Sequence, residues 1–302
     1  LVSVPLRLRP ERGFFTAEGA LKYAAEHQTV SMAELAVVYE TRLGSADRTD
    51  LEQEMLHVLR AMERSMTPPP ADDPVPNYLV PRQAAELDDK MPLDMGVLNG
   101  CMRNAMAVME NGCAHRVVVA APTAGSSGVI PASVVGVGRT LGRTEGEILD
   151  ALWAAGLVGA FIANQATFGA EVAGCQAEIG AASCMAAAGV VQLLGGTVEE
   201  GFHAAALAMQ SLLGLICDPV AGLVEFPCIQ RNVTASVMAA AAANMAMKGV
   251  RSPIPLDETI KAMLDVGRAL PASLRCTCEG GLCATPTGRQ LALQAVKCKA
   301  RK

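Results

Sequence analysis

Three cysteines, Cys175, Cys217 and Cys228, stand beside Gly, Asp or Pro in the stretch 174–232 rather than inside an Ala-rich run. That stretch opens with GCQAEIGAAS and closes with CDPVAGLVEFPCIQRN. Thiolates carried on loops between packed helices converge on a metal or an iron–sulfur cluster without breaking helix hydrogen bonds. The intervals between the three are far wider than the short C-x2-C pairs of zinc fingers or ferredoxins, so spacing alone does not separate a cluster from buried thiols. The Gly, Asp and Pro context favours a cluster cradle.

A second candidate is APTAGSSGVIPAS, residues 121–133. Thr123, Gly125, Ser126, Ser127 and Gly128 form a small-residue loop ahead of a helix. Free N–H groups at a helix start attract an anion, and hydroxyls add donors, so a substrate carboxylate is the natural guest. A plain tight turn is the alternative. Arg231 and Asn232 follow Cys228; an arginine there suits bidentate carboxylate binding or a helix-start ion pair. Asn164 and Gln165, ahead of the first cysteine loop, have the same standing. Glu178 is placed to orient the Cys175 loop or to handle protons. The histidines, His27, His57, His115 and His203, sit in no recognisable site motif, and His203 reads as structural.

Cys276, Cys278 and Cys283 lie close together in CTCEGGLC. Cys276 or Cys278 is a candidate fourth ligand; the alternative is three free thiols. Cys298, in the tail KCKARK, is read either as a plug for the site or as part of a solvated tail. Cys184 reads as core, and Cys101 and Cys113 carry no signal.

Helices must position these groups. Hydrophobic residues make up 51% of the 302, but aromatics only 3%, so the core is built from Ala, Val, Leu, Met and Gly. Small side chains let helix backbones approach closely, which points to an all-α, compact bundle of buried Ala-rich helices. Helices are expected from Thr16 to about Met66, at Met95–Asn111, and near 130–141, 146–164, 181–194, 198–215, 232–248 and 257–270. Ser31 to Glu34 reads as a capping box and Asp50 as a cap. Val117–Ala121 is a short strand or extended segment. Residues 1–15 read as a poorly ordered extension, and 16–302 as one domain. Its Pro-rich loop, 67–81, holds six prolines and reads as a surface linker or a substrate-facing loop.

A net charge of −5 gives no basic footprint for nucleic acid. Apolar runs such as Val233–Met247 fall short of a membrane span, and the opening residues show no signal-peptide pattern. As the chain begins at Leu1 rather than Met, a leader ahead of it stays open. A long, apolar chain with ten cysteines fits a reducing cytoplasm better than a disulfide scaffold.

Taken together, PTAGSSG, GCQAEIGAAS, CDPVAGLVEFPCIQRN and GGLCATPTG resemble, in order from about residue 95 to 290, the alpha chain of iron–sulfur-dependent L-serine dehydratase. The resemblance implies an all-helical domain and a [4Fe–4S] cluster on Cys175, Cys217 and Cys228, with the fourth iron open to substrate. It implies conversion of L-serine to pyruvate and ammonia in an oligomer. The catalytic base is then expected from a separate beta subunit, because the SSHT-type motif of that portion is absent here. Two departures stand out. A TGLTGGDA-like segment is missing before residue 95, and the usual LRETG reads LRCTCEGG. Rival expectations are a lyase acting on another β-substituted amino acid such as L-cysteine, a non-catalytic metal-binding scaffold, and a pyridoxal-phosphate dehydratase, for which Lys248 alone borders an apolar run.

Overall fold

The computed structural model describes residues 14–299 except 30, 44–46, 71, 74, 76, 88 and 89. Its described residues are all-α, as predicted. The helices are α1 (Ala17–His27), α2 (Met32–Leu43), α3 (Arg48–Ser65), α4 (Val97–Cys113), α5 (Val137–Thr140), α6 (Glu145–Gln165), α7 (Ala170–Ala173), α8 (Ile179–Leu193), α9 (Val198–Gln210), α10 (Cys228–Met247), α11 (Leu256–Ala269) and α12 (Pro286–Lys299). No strand forms among the described residues, so Val117–Ala121 is extended chain. The one bridge is parallel, between Cys217 and Arg275.

α8 is the centre of the bundle, packed by α6, α9 and α10. It is apolar nearly all round, and almost every residue in it is buried, as a helix enclosed by others must be. Gly189 shows why small residues are needed: a Cβ there would meet the Ala151 carbonyl oxygen at 2.8 Å and Val134 Cγ2 at 2.9 Å. α6 and α8 therefore touch backbone to side, an approach any larger residue would block.

Several expectations shift. The helix near 130–141 is divided into a π-helix, Pro131–Gly136, and the short α5. α10 starts four residues earlier than expected, so Cys228 is its first residue rather than a loop residue. α3 is capped by Asp47, whose side chain accepts the Asp50 N–H at 2.9 Å, and not by Asp50. The basic tail continues as α12 as far as Lys299. Phe14, assigned to the extension, is 5% exposed and packs on Tyr23, Tyr39 and Phe161; residues 1–13 lie outside the described residues. α6 is long and apolar enough to cross a membrane, contrary to the expectation that no run qualifies. Its buried residues pack on α2 and α8, the setting of a core helix.

The Pro-rich stretch is fastened by two buried carboxylates. Glu225 accepts the N–H groups of Tyr78 and Leu79, each at 2.8 Å, and Glu110 accepts those of Gln83 and Ala84 at 2.6 and 3.0 Å. Proline has no N–H, so a proline-rich segment cannot pair with a helix or sheet; its few remaining donors are satisfied by side chains instead.

Candidate active site

Each loop that brings a candidate residue inward has a local cause. In GCQAEIG, Gly174 adopts φ +73°, and a Cβ on it would meet the Leu215 carbonyl oxygen at 2.8 Å. Gln176 is fully buried. Its amide donates to the carbonyls of Ala173 (2.9 Å) and Met263 (3.1 Å) and accepts the Gly214 N–H (2.8 Å). These bonds fix Cys175, 2% exposed, at the start of a 3-10 turn, Cys175–Ala177.

Cys217 is held by the bridge to the C-terminal segment. Its N–H donates to the Leu274 carbonyl (2.9 Å), and its carbonyl accepts the Cys276 N–H (2.8 Å). The next residue, Asp218, is 1% exposed. One of its oxygens accepts Arg231 Nη2 at 2.8 Å and the other the Leu282 N–H at 2.7 Å. Arg231 also donates to the Ile216 carbonyl at 3.0 Å. Asp218 therefore joins the CDPVAG loop to both α10 and the GGLC turn.

The thiols share one neighbourhood. Cys175 and Cys217 are hydrogen-bonded; that bond, opposed by burial and aided by the Arg231 charge, draws Cys175 below the usual thiol range and pushes Cys217 up. Cys276 bonds to Cys217 in turn, although burial keeps it raised. Cys228, 8% exposed, is raised by burial and then by the charges of Cys175 and Glu178. Among the described residues, no group of three or more His, Cys, Asp or Glu side chains is arranged to grip a single metal ion. Soft sulfur donors from three separate elements beside an arginine do suit an iron–sulfur cluster in donor type.

The PTAGSSG loop packs on the same region. Asn232, fully buried, donates to the carbonyls of Gly125 (2.8 Å) and Cys228 (2.9 Å) and accepts the Gly128 N–H (2.9 Å). Ser126 and Ser127 bond to the Thr123 and Ala124 carbonyls of their own loop. Thr123 Oγ1 donates to Glu178 Oε1 at 2.6 Å. A Cβ on Gly125 would sit 3.0 Å from that oxygen, so glycine makes room for the carboxylate. Burial, partly offset by Thr123, pushes the Glu178 carboxyl above its usual range.

Thr123, Ser126, Ser127 and Gly128 are thus gathered on the Glu178 side, linked to Cys228 through Asn232. Arg231 faces Cys175 and Asp218. Cys276 reaches Cys217, whereas Cys278 points to the Pro219 carbonyl at 3.4 Å. Asn164 and Gln165 are engaged elsewhere, with Tyr39 and Asp257. His203 accepts the Ser252 N–H at 3.2 Å. Cys184 is fully buried in α8, and the Cys298 side chain lies outside the described residues. The sequence reading missed Asp218, Gln176 and Glu225. Their signal was an ionic or amide residue inside an otherwise apolar, loop-breaking motif, where only a buried hydrogen-bond partner makes it tolerable.

Comparison with known proteins agrees with this arrangement. Residues 20–283 match the family described as serine dehydratase alpha chain. The chain is 37% identical over 276 residues to a probable L-serine dehydratase, alpha chain, of Bacillus subtilis, covering 88% of this chain and 90% of that one. It is 45% identical over 193 residues to the corresponding protein of Latilactobacillus sakei, 64% of this chain and 92% of that one. L-serine dehydratase 1 of Escherichia coli is 38% identical over 284 residues; these are 89% of this chain but only 61% of the longer relative. With a match over most of its length, the chain belongs to the serine dehydratase alpha chain family.

Proposed function

We propose that this chain is the alpha subunit of an L-serine dehydratase that converts L-serine to pyruvate and ammonia in the cytoplasm, within an oligomer that includes a separate beta subunit. The observation that carries the reading is the meeting of Cys175, Cys217 and Cys228 beside Arg231 and the Thr123–Glu178 pair. These three cysteines would hold a [4Fe–4S] cluster, which when bound supplies a Lewis acid for the substrate carboxylate and hydroxyl.

The chain's own residues then have distinct tasks. Asp218 holds the Arg231 guanidinium beside Cys175, where its positive charge favours the thiolate and attracts a carboxylate. Asn232 fixes the 123–128 loop against α10. Glu178, with Oε1 engaged by Thr123 and its carboxyl raised by burial, keeps a proton at Oε2 for the departing hydroxyl. Removal of the α-proton is assigned to a base on the beta subunit, since none of the four histidines is placed in this site.

Anaerobic reconstitution with iron and sulfide, with and without candidate beta chain, tests the reading. Pyruvate and ammonia from L-serine, dependent on both chains and lost in C175A, C217A and C228A together with the bound iron, is the expected result. Sulfide release from L-cysteine in preference to serine would replace the substrate, and iron binding that survives all three substitutions would remove the cluster assignment.

A further inference from the structure

Cys278 and Cys283 lie outside the proposed cluster ligands, in the turn that follows the Cys217–Arg275 bridge. Cys278 is exposed and Cys283 buried, so one faces solvent and the other lies beneath it. Both are tied to the same loop. Cys278 Sγ donates to the Pro219 carbonyl at 3.4 Å, and Leu282, the neighbour of Cys283, donates its N–H to Asp218 at 2.7 Å. Cys283 Sγ donates to the Gly280 carbonyl at 2.8 Å, which folds it back toward the Cys278 side of the turn. The two thiols are within hydrogen-bonding reach of one another.

The backbone carries a second sign. Cys278 sits at φ +59° and Cys276 at φ +63°, a left-handed conformation that L-residues with a side chain rarely adopt. Non-glycine residues are held there at a cost of order 1–2 kcal/mol each, typically where the surroundings impose a particular side-chain placement. Gly280 and Gly281 complete the turn between the two cysteines. A Cβ on Gly281 would strike Asp218 Oδ2, so the turn is pressed tightly onto the CDPVAG loop.

We infer that Cys278 and Cys283 are a dithiol that closes to a disulfide, a modification site separate from the cluster thiols. The exposed Cys278 sulfur, as thiolate, attacks one sulfur of a low-molecular-weight disulfide and releases one small thiol. The Cys283 sulfur gives up its proton and displaces the second small thiol, forming the Cys278–Cys283 bond. Two protein thiols and one small disulfide become one protein disulfide and two small thiols. The new ring encloses Leu282, whose N–H holds Asp218, so oxidation stiffens the turn that anchors Arg231.

The test is mass spectrometry of the full chain equilibrated in oxidised and reduced glutathione. Arg275 and Arg289 bracket all three nearby cysteines, so trypsin releases them in one peptide. The inference expects that peptide to become lighter by two hydrogen atoms, with only Cys276 open to alkylation, and residues 279–284 to exchange amide hydrogens more slowly. Fragment ions locate the bond in the wild type without any variant, and C278S and C283S should each abolish it. A bond from Cys276 to Cys283 or Cys217, or a stable mixed disulfide with glutathione that never closes, overturns the inference. None of these readouts depends on bound iron or turnover.

Discussion

Asp218 Oδ1 lies 2.8 Å from Arg231 Nη2, with Asp218 1% exposed and its second oxygen committed to the Leu282 N–H. One side chain thereby ties the cysteine loop, the first turn of α10 and the C-terminal turn. Removing one partner of such a buried pair leaves the other charge unsatisfied, at about 3–5 kcal/mol. D218A should lower stability by that amount in urea unfolding, and iron uptake on reconstitution should fall with it. A variant within 1 kcal/mol of wild type would mean that the pair is not what holds the loop.

Asn232 makes three hydrogen bonds from a fully buried side chain. Truncation leaves the Gly128 N–H and the Gly125 carbonyl without partners, each at roughly 1–3 kcal/mol. N232A is expected to release the 123–128 loop, raising KM for L-serine while the bound iron remains. Loss of iron in step with KM would place its role at Cys228 instead.

Glu178 is proposed to hold a proton beside Thr123. Replacement with Gln keeps the hydrogen-bond shape and removes the titration. E178Q should cut kcat by about 10²–10⁴-fold, the usual contribution of general acid–base catalysis, with unchanged iron content. Turnover within threefold of wild type would leave Glu178 as an orienting group only.

Glu110 offers a pH test away from the site. It is 2% exposed, and burial raises its carboxyl despite the bonds from Gln83 and Ala84. A raised folded-state pKa contributes stability below the unfolded value that is lost as pH rises through the folded one. E110Q should therefore flatten the fall in stability as pH rises from the ordinary carboxylate range, measured by denaturant midpoints at several pH values.

Gly189 tests the close contact of α6 and α8. The nearest neighbour of an added Cβ is backbone, the Ala151 carbonyl oxygen at 2.8 Å, which has no rotamer to move aside. G189A should destabilise by about 1–3 kcal/mol, as overpacking does. This would occur even though alanine is the better helix former.

Much of this was legible in the chain itself. Ala-rich apolar runs with few aromatics can bury only against other helices, so the all-α class followed from composition. The GCQ, CDP and FPC contexts marked the cysteines because Gly and Pro interrupt helices locally. The helix boundaries around Cys228 and Asp47 were less visible, since neighbouring residues have similar propensities and packing decides the last turn.

Tertiary structure alone decided which polar side chains meet. Nothing near Asp218 in sequence announces Arg231, Leu282 and the 276–283 turn; they meet because α10 and the C-terminal segment close on one loop. Glu225 and the Pro-rich stretch, and Thr123 and Glu178, are likewise distant in the chain and paired in space. A buried polar group stabilises only when its partner is present. Local sequence reveals that a partner is needed, and the folded chain determines which residue fills that need.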